Sequence, residues 1–323
     1  MSFYQDKTVL VTGAAGFIGS HLVDVLLEQG ATVIGVDNFI TGKRENVSHL
    51  SRDKKFTLIE ADVIDSPESY LHLAPLPLPP DCVFHLASPA SPVGYQAHPV
   101  ETYLVNSIGT HNLLQYLIEK HPTARFLYTS TSEAYGDPLE HPQKETYWGN
   151  VNPNGPRSMY DESKRLGETI CGVHTKNFQV DTRIARLFNT YGPRLDIDDG
   201  RVIPDFIKSV RSGKALTIHG DGSQTRSFCY VSDTVAGLLQ FMEVDGLAGE
   251  TINIGNPEEI TIDSLANLMC ELEGIRKRIN FQPGRTDDPN RRCPDISKAK
   301  KLLKWEPKIP LKEGLKKTVE SFS

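Results

Sequence analysis

The stretch Thr12-Gly-Ala-Ala-Gly-Phe-Ile-Gly19 constrains this chain more than any other. It follows a β-rich run, Thr8–Val11, and opens a segment, Phe17–Gln29, in which Phe17, Ile18, Leu22, Val25 and Leu26 recur at helical spacing, with Gly30 placed to cap it. Glycines at 13, 16 and 19 permit a tight turn whose backbone N–H groups can approach a pyrophosphate, and the helix start adds partial positive charge. The spacing is G-x-x-G-x-x-G, and a glycine triplet alone specifies no more than a tight strand–helix turn. Its context specifies more. A second β-rich run, Thr32–Val36, ends in Asp37, close to the offset of about 20 residues at which an acid meets a dinucleotide's ribose. A carboxylate there favours NAD over NADP, because a 2′-phosphate would meet its charge. On spacing, Asp62 fits the adenine end of the cofactor and a turn-forming acid equally well.

The rhythm continues with β-rich runs at Phe56–Val63, Cys82–Leu86, Arg125–Tyr128 and Val180–Leu187. Helical patterns lie between them at Pro99–Lys120, with a stripe of Leu113, Leu114, Leu117 and Ile118, and at Met159–Gly172. Apolar strands alternating with helices imply an α/β fold, a doubly wound parallel sheet of Rossmann type covered on both faces. The second half mixes short β-like pieces (Leu216–His219, Glu250–Ile254) with helices such as Ile262–Glu273. A length of 323 residues exceeds one comfortable core. The expected division is a cofactor domain of residues 1–188 plus 228–256 and a smaller C-terminal α/β substrate lobe of residues 189–227 plus 257–323. The Pro-rich Leu73–Pro80 reads as a connector.

Net charge is −6, from 35 basic and 41 acidic residues without blocks of one sign, which is not the footprint of a nucleic-acid binder. The five cysteines are scattered and lack C-x-x-C pairing, so no metal site is expected and a reducing cytoplasm is the natural setting. No apolar run is long enough to span a bilayer, and the N-terminus lacks a signal-peptide layout.

Tyr160 and Lys164 are four apart, on one face of a helix. A neighbouring ammonium favours the phenolate, which is otherwise a poor base at neutral pH. The motif alone means little, since any helix shows it by chance; downstream of a dinucleotide loop it becomes the expected catalytic pair. Between loop and pair, Thr129-Ser-Thr-Ser-Glu-Ala-Tyr-Gly136 crowds hydroxyls and one acid, Glu133, at a strand end. Thr131 is the chosen partner of a reacting oxygen, although Ser130 or Ser132 would fill the alternative backbone-capping role as well.

TGAAGFIGSHL, HLAS at 85–88, Y-x-x-x-K and RLFNTYGPR at 186–194 resemble the extended short-chain dehydrogenase/reductase superfamily of sugar-nucleotide enzymes. HLASPASP (85–92), TSTSEAYGDPLEHPQKETYWGNVNP (129–153), GDGSQTRSFCYVSD (220–233) and DDPNRRCPDISKAKKLLKWEP (287–307) resemble the UDP-glucuronate decarboxylase, or UDP-xylose synthase, branch. Ala134, where that branch commonly has Val, and Asn154 depart from the pattern without removing a reactive group. Sister branches, the dTDP-glucose 4,6-dehydratases and UDP-glucuronate 4-epimerases, differ within these phrases and are the nearest alternatives; release of the 4-keto pentose and a non-catalytic nucleotide-sensing protein are others.

The resemblance implies a reaction. Oxidation of the sugar's C4 hydroxyl makes a β-keto acid, carbon dioxide leaves an enolate, C5 is protonated, and C4 is reduced again, with tightly held NAD carrying the hydride. It implies that Tyr160 accepts the C4 proton, Lys164 holds the nicotinamide ribose, Thr131 stabilises the C4 oxyanion, and Glu133 and Arg226 act at the sugar carboxylate. Glu133 is expected to carry a raised pKa suited to proton transfer. It also implies that Phe17, Ile18, Asn38, Val63, Leu86, Ala87, Ser88, Asn106 and Thr129 join Gly13, Gly16, Gly19, Asp37 and Asp62 around NAD. Ser88, Pro89, Tyr95, Asn189, Arg194, Val202, Thr217, His219 and Arg285 are expected to meet the UDP-sugar. A homodimer through a four-helix bundle of the helices around 102–120 and Tyr160 is the expected assembly.

Overall fold

The computed structural model describes residues 2–74, 79–284, 289 and 291–322; four residues of the Pro-rich connector (75–78) and Arg285 lie outside this set. Seven strands form one parallel sheet: β1 (Thr8–Thr12), β2 (Thr32–Asp37), β3 (Phe56–Glu60), β4 (Cys82–His85), β5 (Arg125–Thr131), β6 (Asp181–Leu187) and β7 (Thr251–Ile254). Their order is β7-β6-β5-β4-β1-β2-β3. The chain therefore reverses direction across the sheet between β1 and β4, and in doubly wound sheets ligands bind beyond the strand ends at such a reversal.

Alternation along the strands explains why both faces are covered. Val9 and Val11 of β1 point into one core with Phe84, Leu127 and Ala185, while Leu10 points into the other with Ile34, Val83 and Phe126. The first core runs on without a break into the C-terminal elements, through Ile218, Leu265 and Trp305. Helix α1 (Phe17–Glu28) lies on that side. The opposite face is covered by residues 99–120 and by α3 (Ser158–Phe178).

Residues 99–120 form the expected helix, α2, but it is not uniform: Val105–Gly109 make a π-helical turn between Pro99–Leu104 and Thr110–Lys120. Helix α3 runs six residues beyond the expected end at Gly172, and closes at Gln179 in the left-handed region (φ 59°). Strand β5 also outruns its apolar stretch. Thr129, Ser130 and Thr131 keep pairing with Ala185, Arg186 and Leu187 of β6. The hydroxyls thus belong to the strand, and rigid pairing rather than a loop aims them at the reversal point.

Candidate active site

A cleft of about 1070 Å³ opens at the carboxyl ends of the strands. Its floor is the glycine loop. Gly13 has φ +71° and a Cβ there would sit 2.8 Å from the Ala87 nitrogen, so the turn needs glycine twice over, for its backbone and for the approach of the β4 loop. At Gly19 a Cβ would come within 2.0 Å of the Gly13 carbonyl oxygen, which is why helix α1 can start directly against the turn. Asp37 ends β2 beside this loop. Its Oδ2 accepts from the Ala15 N–H at 2.9 Å and its Oδ1 from the Phe39 N–H at 2.8 Å. Burial pushes the Asp37 carboxyl up, with the amides opposing. Asn38 Nδ2 donates to Asp62 Oδ2 at 2.9 Å, which fixes the next stretch of wall. Backbone N–H groups at a helix start, a cradle closed to side chains and an acid at the end of β2 suit a dinucleotide.

The reacting end lies over β5 and α3. Lys164 is buried, and its Nζ donates to the Thr129 carbonyl at 2.8 Å and sits 5.9 Å from the Tyr160 ring centre. Burial brings the Lys164 ammonium down to about 7, with Glu168 opposing. Tyr160 stacks on Tyr95 with ring centres 5.1 Å apart and 13° between planes. The expected lowering of the Tyr160 phenol does not occur. Burial raises it, Thr131 hydrogen bonding opposes, and the charges of Glu133 and Asp161 add to the rise. Lys164, itself lowered by burial, does not offset the lost water. Among the strand hydroxyls, Ser130 donates to Glu168 Oε1 at 2.5 Å and Thr129 to the His85 carbonyl at 2.9 Å. Thr131 is thus the one bonded toward Tyr160.

Glu133 also departs from expectation. Burial pushes its carboxyl up, but the charges of Arg292, Arg157 and Arg226 outweigh burial and hold it well below the ordinary carboxylate value. Arg292 pairs with Oε1 and Arg157 with Oε2. The acid is therefore a fixed anion in an arginine clamp. Arg226, expected as its partner, contributes the least of the three charges, and its Nη1 donates to the Thr225 carbonyl at 2.8 Å. Sequence reasoning missed Arg292 because it lies 159 residues further along the chain. The staple that brings it back is Gln143, fully buried: its N–H donates to the Cys293 carbonyl, its Oε1 accepts from the Cys293 N–H and its carbonyl accepts from the Asp295 N–H, each at 2.8 Å. Arg157, three residues before Tyr160, was within reach of the helical pattern but lay outside the motif.

Every other expected site residue within the described set lines this cleft, from Gly13, Phe17, Ile18 and Val63 to Leu86–Pro89, Tyr95, Asn189, Val202, Thr217 and His219, except Asn106. Asn106 sits behind the wall in the π-helical turn, fully buried, and donates to the Thr102 carbonyl and to the Ser88 and Ser163 hydroxyls at 2.9–3.1 Å. Its amide is consumed by helix packing. Arg194 lines the cleft while paired to Asp24 of α1 at 2.7 Å. Among the described residues no group of three His, Cys, Asp or Glu side chains gathers to hold a metal.

The chain matches the family model described as GDP-mannose 4,6 dehydratase over residues 10–318. It belongs to that family, in the nucleotide-sugar branch of the extended short-chain dehydrogenases/reductases. Within the family, UDP-glucuronic acid decarboxylase 1 of Arabidopsis thaliana is 51% identical over 314 residues, 97% of this chain and 69% of that protein. UDP-glucuronic acid decarboxylase 1 of Danio rerio is 50% identical over 317 residues, 98% and 73% of the two chains. Among solved structures of the family, UDP-glucuronic acid 4-epimerase from Bacillus cereus, in complex with UDP-glucuronic acid and NAD, has a TM-score of 0.86 at 32% identity, covering 97% of this chain and 98% of that one. UDP-glucose 4-epimerase from Thermotoga maritima with UDP-glucose has a TM-score of 0.86 at 33% identity, covering 98% of each.

Proposed function

We propose that this protein converts UDP-glucuronate to UDP-xylose and carbon dioxide through a transient C4 ketone, with NAD as a resident cofactor. The observation that carries the reading is a Tyr160–Lys164–Thr131 oxidation centre beside a carboxylate held by arginines, in a chain about half identical to UDP-glucuronic acid decarboxylases along nearly its whole length.

Bound NAD supplies the hydride acceptor and later donor for C4. The glycine loop, Asp37 and Lys164 would hold it. Tyr160 takes the C4 hydroxyl proton. Its raised phenol means that the proton is held firmly until a nearby positive charge stabilises the phenolate, which couples deprotonation to an occupied cofactor site. Thr131 donates to the C4 oxygen as negative charge collects there in the enolate. Arg292 offers the substrate carboxylate a charge-assisted bond, and Glu133, a fixed anion in the wall, keeps that carboxylate from settling deeper, so the group that must leave is oriented but not buried in a stabilising pocket. Protonation at C5 then falls to water held in the cleft, because Glu133 stays ionised and Arg292 keeps its proton. Asn189, Arg194, Val202, Thr217, His219 and Arg226 form the uridine diphosphate wall, an assignment extended to Arg285.

Val100, Tyr103 and Ile108 on α2 and Leu166, Val173 and Phe178 on α3 are exposed on helices that pack together. Pairing this face with a second copy makes the homodimeric four-helix bundle. Five free, buried cysteines suit a reducing compartment, which we take to be the cytoplasm; no helix among the described residues is long and apolar enough to cross a membrane. Carbon dioxide released per UDP-glucuronate consumed tests the activity: one for one is expected, with cofactor content unchanged at the end. Consumption without carbon dioxide would favour epimerisation at C4.

A further inference from the structure

Glu133 has one guanidinium for each carboxylate oxygen, and the two arrive from different parts of the chain. Arg292 comes from the short strand Arg291–Arg292 and pairs with Oε1; Arg157 stands directly before α3 and pairs with Oε2. One helical turn beyond Arg157, Asp161 Oδ2 lies 4.0 Å from its Nε. The other oxygen of Asp161 is buried without a hydrogen-bond partner, and so is Arg292 Nε. Two arginines thus face two carboxyl groups, of which Glu133 is held ionised while burial and the Glu133 charge push the Asp161 carboxyl up; Arg226 adds positive charge toward Glu133.

Such a balance is more than an acid needs if its sole purpose is to sit beside one arginine. The substrate in the proposed reaction brings a carboxylate of its own. With Arg292 as the only partner of Glu133, that carboxylate and Glu133 would compete for a single guanidinium, and two carboxylates sharing one site repel. We propose that Arg157 is a positioning residue: it retains Glu133 in the cleft wall when Arg292 turns to the substrate carboxylate, and Asp161 is the backstop that holds Arg157. This rests on the decarboxylase reading. Arg157 is suited to the task because its own anchor does not move with the substrate. It precedes the helix that carries Tyr160 and Lys164, so the clamp on Glu133 is built on the same rigid element as the oxidation centre. Arg292 belongs to a separate segment and lines the cleft, where its Nη2 also donates to the Gly136 carbonyl at 3.2 Å, so a side-chain rotation would carry its Nη1 from Glu133 to the substrate carboxylate. Asp161 lies outside the cleft lining; it faces Arg157, and its charge also bears on the neighbouring Tyr160 phenol.

The experiment compares the wild type with Arg157→Gln, Arg157→Lys and Asp161→Asn, each carrying its bound cofactor. It reads kcat and KM for UDP-glucuronate from carbon dioxide release, UDP affinity, and transient reduced cofactor. Arg157→Gln is expected to lower kcat by roughly 10- to 100-fold, as misplacing a reacting group does, with UDP affinity unchanged. Reduced cofactor should accumulate because oxidation outruns decarboxylation. Arg157→Lys should restore part of the loss, since one ammonium can still hold Oε2. Asp161→Asn should lower kcat several-fold, on the order of the cost of one weakened ion pair, without moving KM. A folded Arg157→Gln variant with wild-type kcat and no accumulated reduced cofactor overturns the role. If that variant fails to bind UDP, Asp161→Asn decides: a fall in kcat at constant KM supports the role, and wild-type kinetics overturn it. A wild type that leaves UDP-glucuronate untouched refutes the functional reading itself, which separates that failure from this one.

Discussion

Replacing Glu133 by Gln tests the clamp thermodynamically as well as catalytically. The side chains of Arg292, Arg157 and Glu133 are only 3%, 15% and 15% exposed, so solvent screens their interaction weakly. Removing one member of a buried ion pair costs about 3–5 kcal/mol, because the remaining charge stays buried and unpaired. Gln keeps the shape and one hydrogen bond, so the lower end, about 3 kcal/mol, is expected at neutral pH. The pH dependence has a definite sign. Glu133 is held below its ordinary value, so its contribution is present above the unfolded pKa of about 4.3 and fades as pH falls from there toward the lower native value. Urea unfolding of both proteins at neutral pH and at stepwise lower pH measures this. The gap should close as pH falls below about 4, with a smaller change nearer neutrality from the Asp161 carboxyl, which burial and then the Glu133 charge push up in the wild type. Turnover of UDP-glucuronate should fall by about 100-fold, as misplacing a reacting group does, while UDP still binds. Equal stability at neutral pH would refute the clamp, and near-normal turnover would refute its place in the reaction.

Three further outcomes are expected. Gly19→Ala would place a methyl 2.0 Å from the Gly13 carbonyl oxygen, and cofactor content per chain should fall by at least about tenfold, equivalent to 1.4 kcal/mol. Lys164→Met should reduce turnover by about 100-fold or more yet be no less stable at pH 7. Burial lowers the native pKa to about 7, so the buried ammonium costs stability below pH 7, and wild-type stability should gain on the variant as pH rises toward the unfolded value near 10.4. Phe178→Glu with Leu166→Glu puts charge on the exposed face of α3, and sedimentation should show a dimer becoming a monomer; a wild type that sediments as a monomer would contradict the four-helix assembly.

Much of the fold was legible because β1, β2 and β4 are short, largely apolar runs bounded by turn residues, and both faces of a parallel sheet demand such runs. The ends were less legible. Thr129–Thr131 follow the apolar run that ends at Tyr128, so the sequence placed them at the strand end, and pairing with β6 shows that the strand continues through them. The glycine loop, Tyr160 and Lys164 are local patterns, so spacing revealed them. The charge state of Glu133 depends on Arg292, brought near by Gln143 across a long separation that no local window contains. For the same reason spacing suggested a lowered Tyr160 phenol: a helix pattern shows which charge is nearby but not how completely water has been excluded. Asn106 was expected at the cofactor from the family resemblance alone, and only the packing of the π-helical turn shows its amide already committed to Thr102, Ser88 and Ser163.

The most direct test of the central claim is a proton NMR time course with the purified, cofactor-loaded protein and UDP-glucuronate. UDP-xylose should be the accumulating product, with no net reduced cofactor. Accumulation of a UDP-4-keto pentose with one reduced cofactor per turnover, or of UDP-galacturonate with the carboxylate retained, would contradict it.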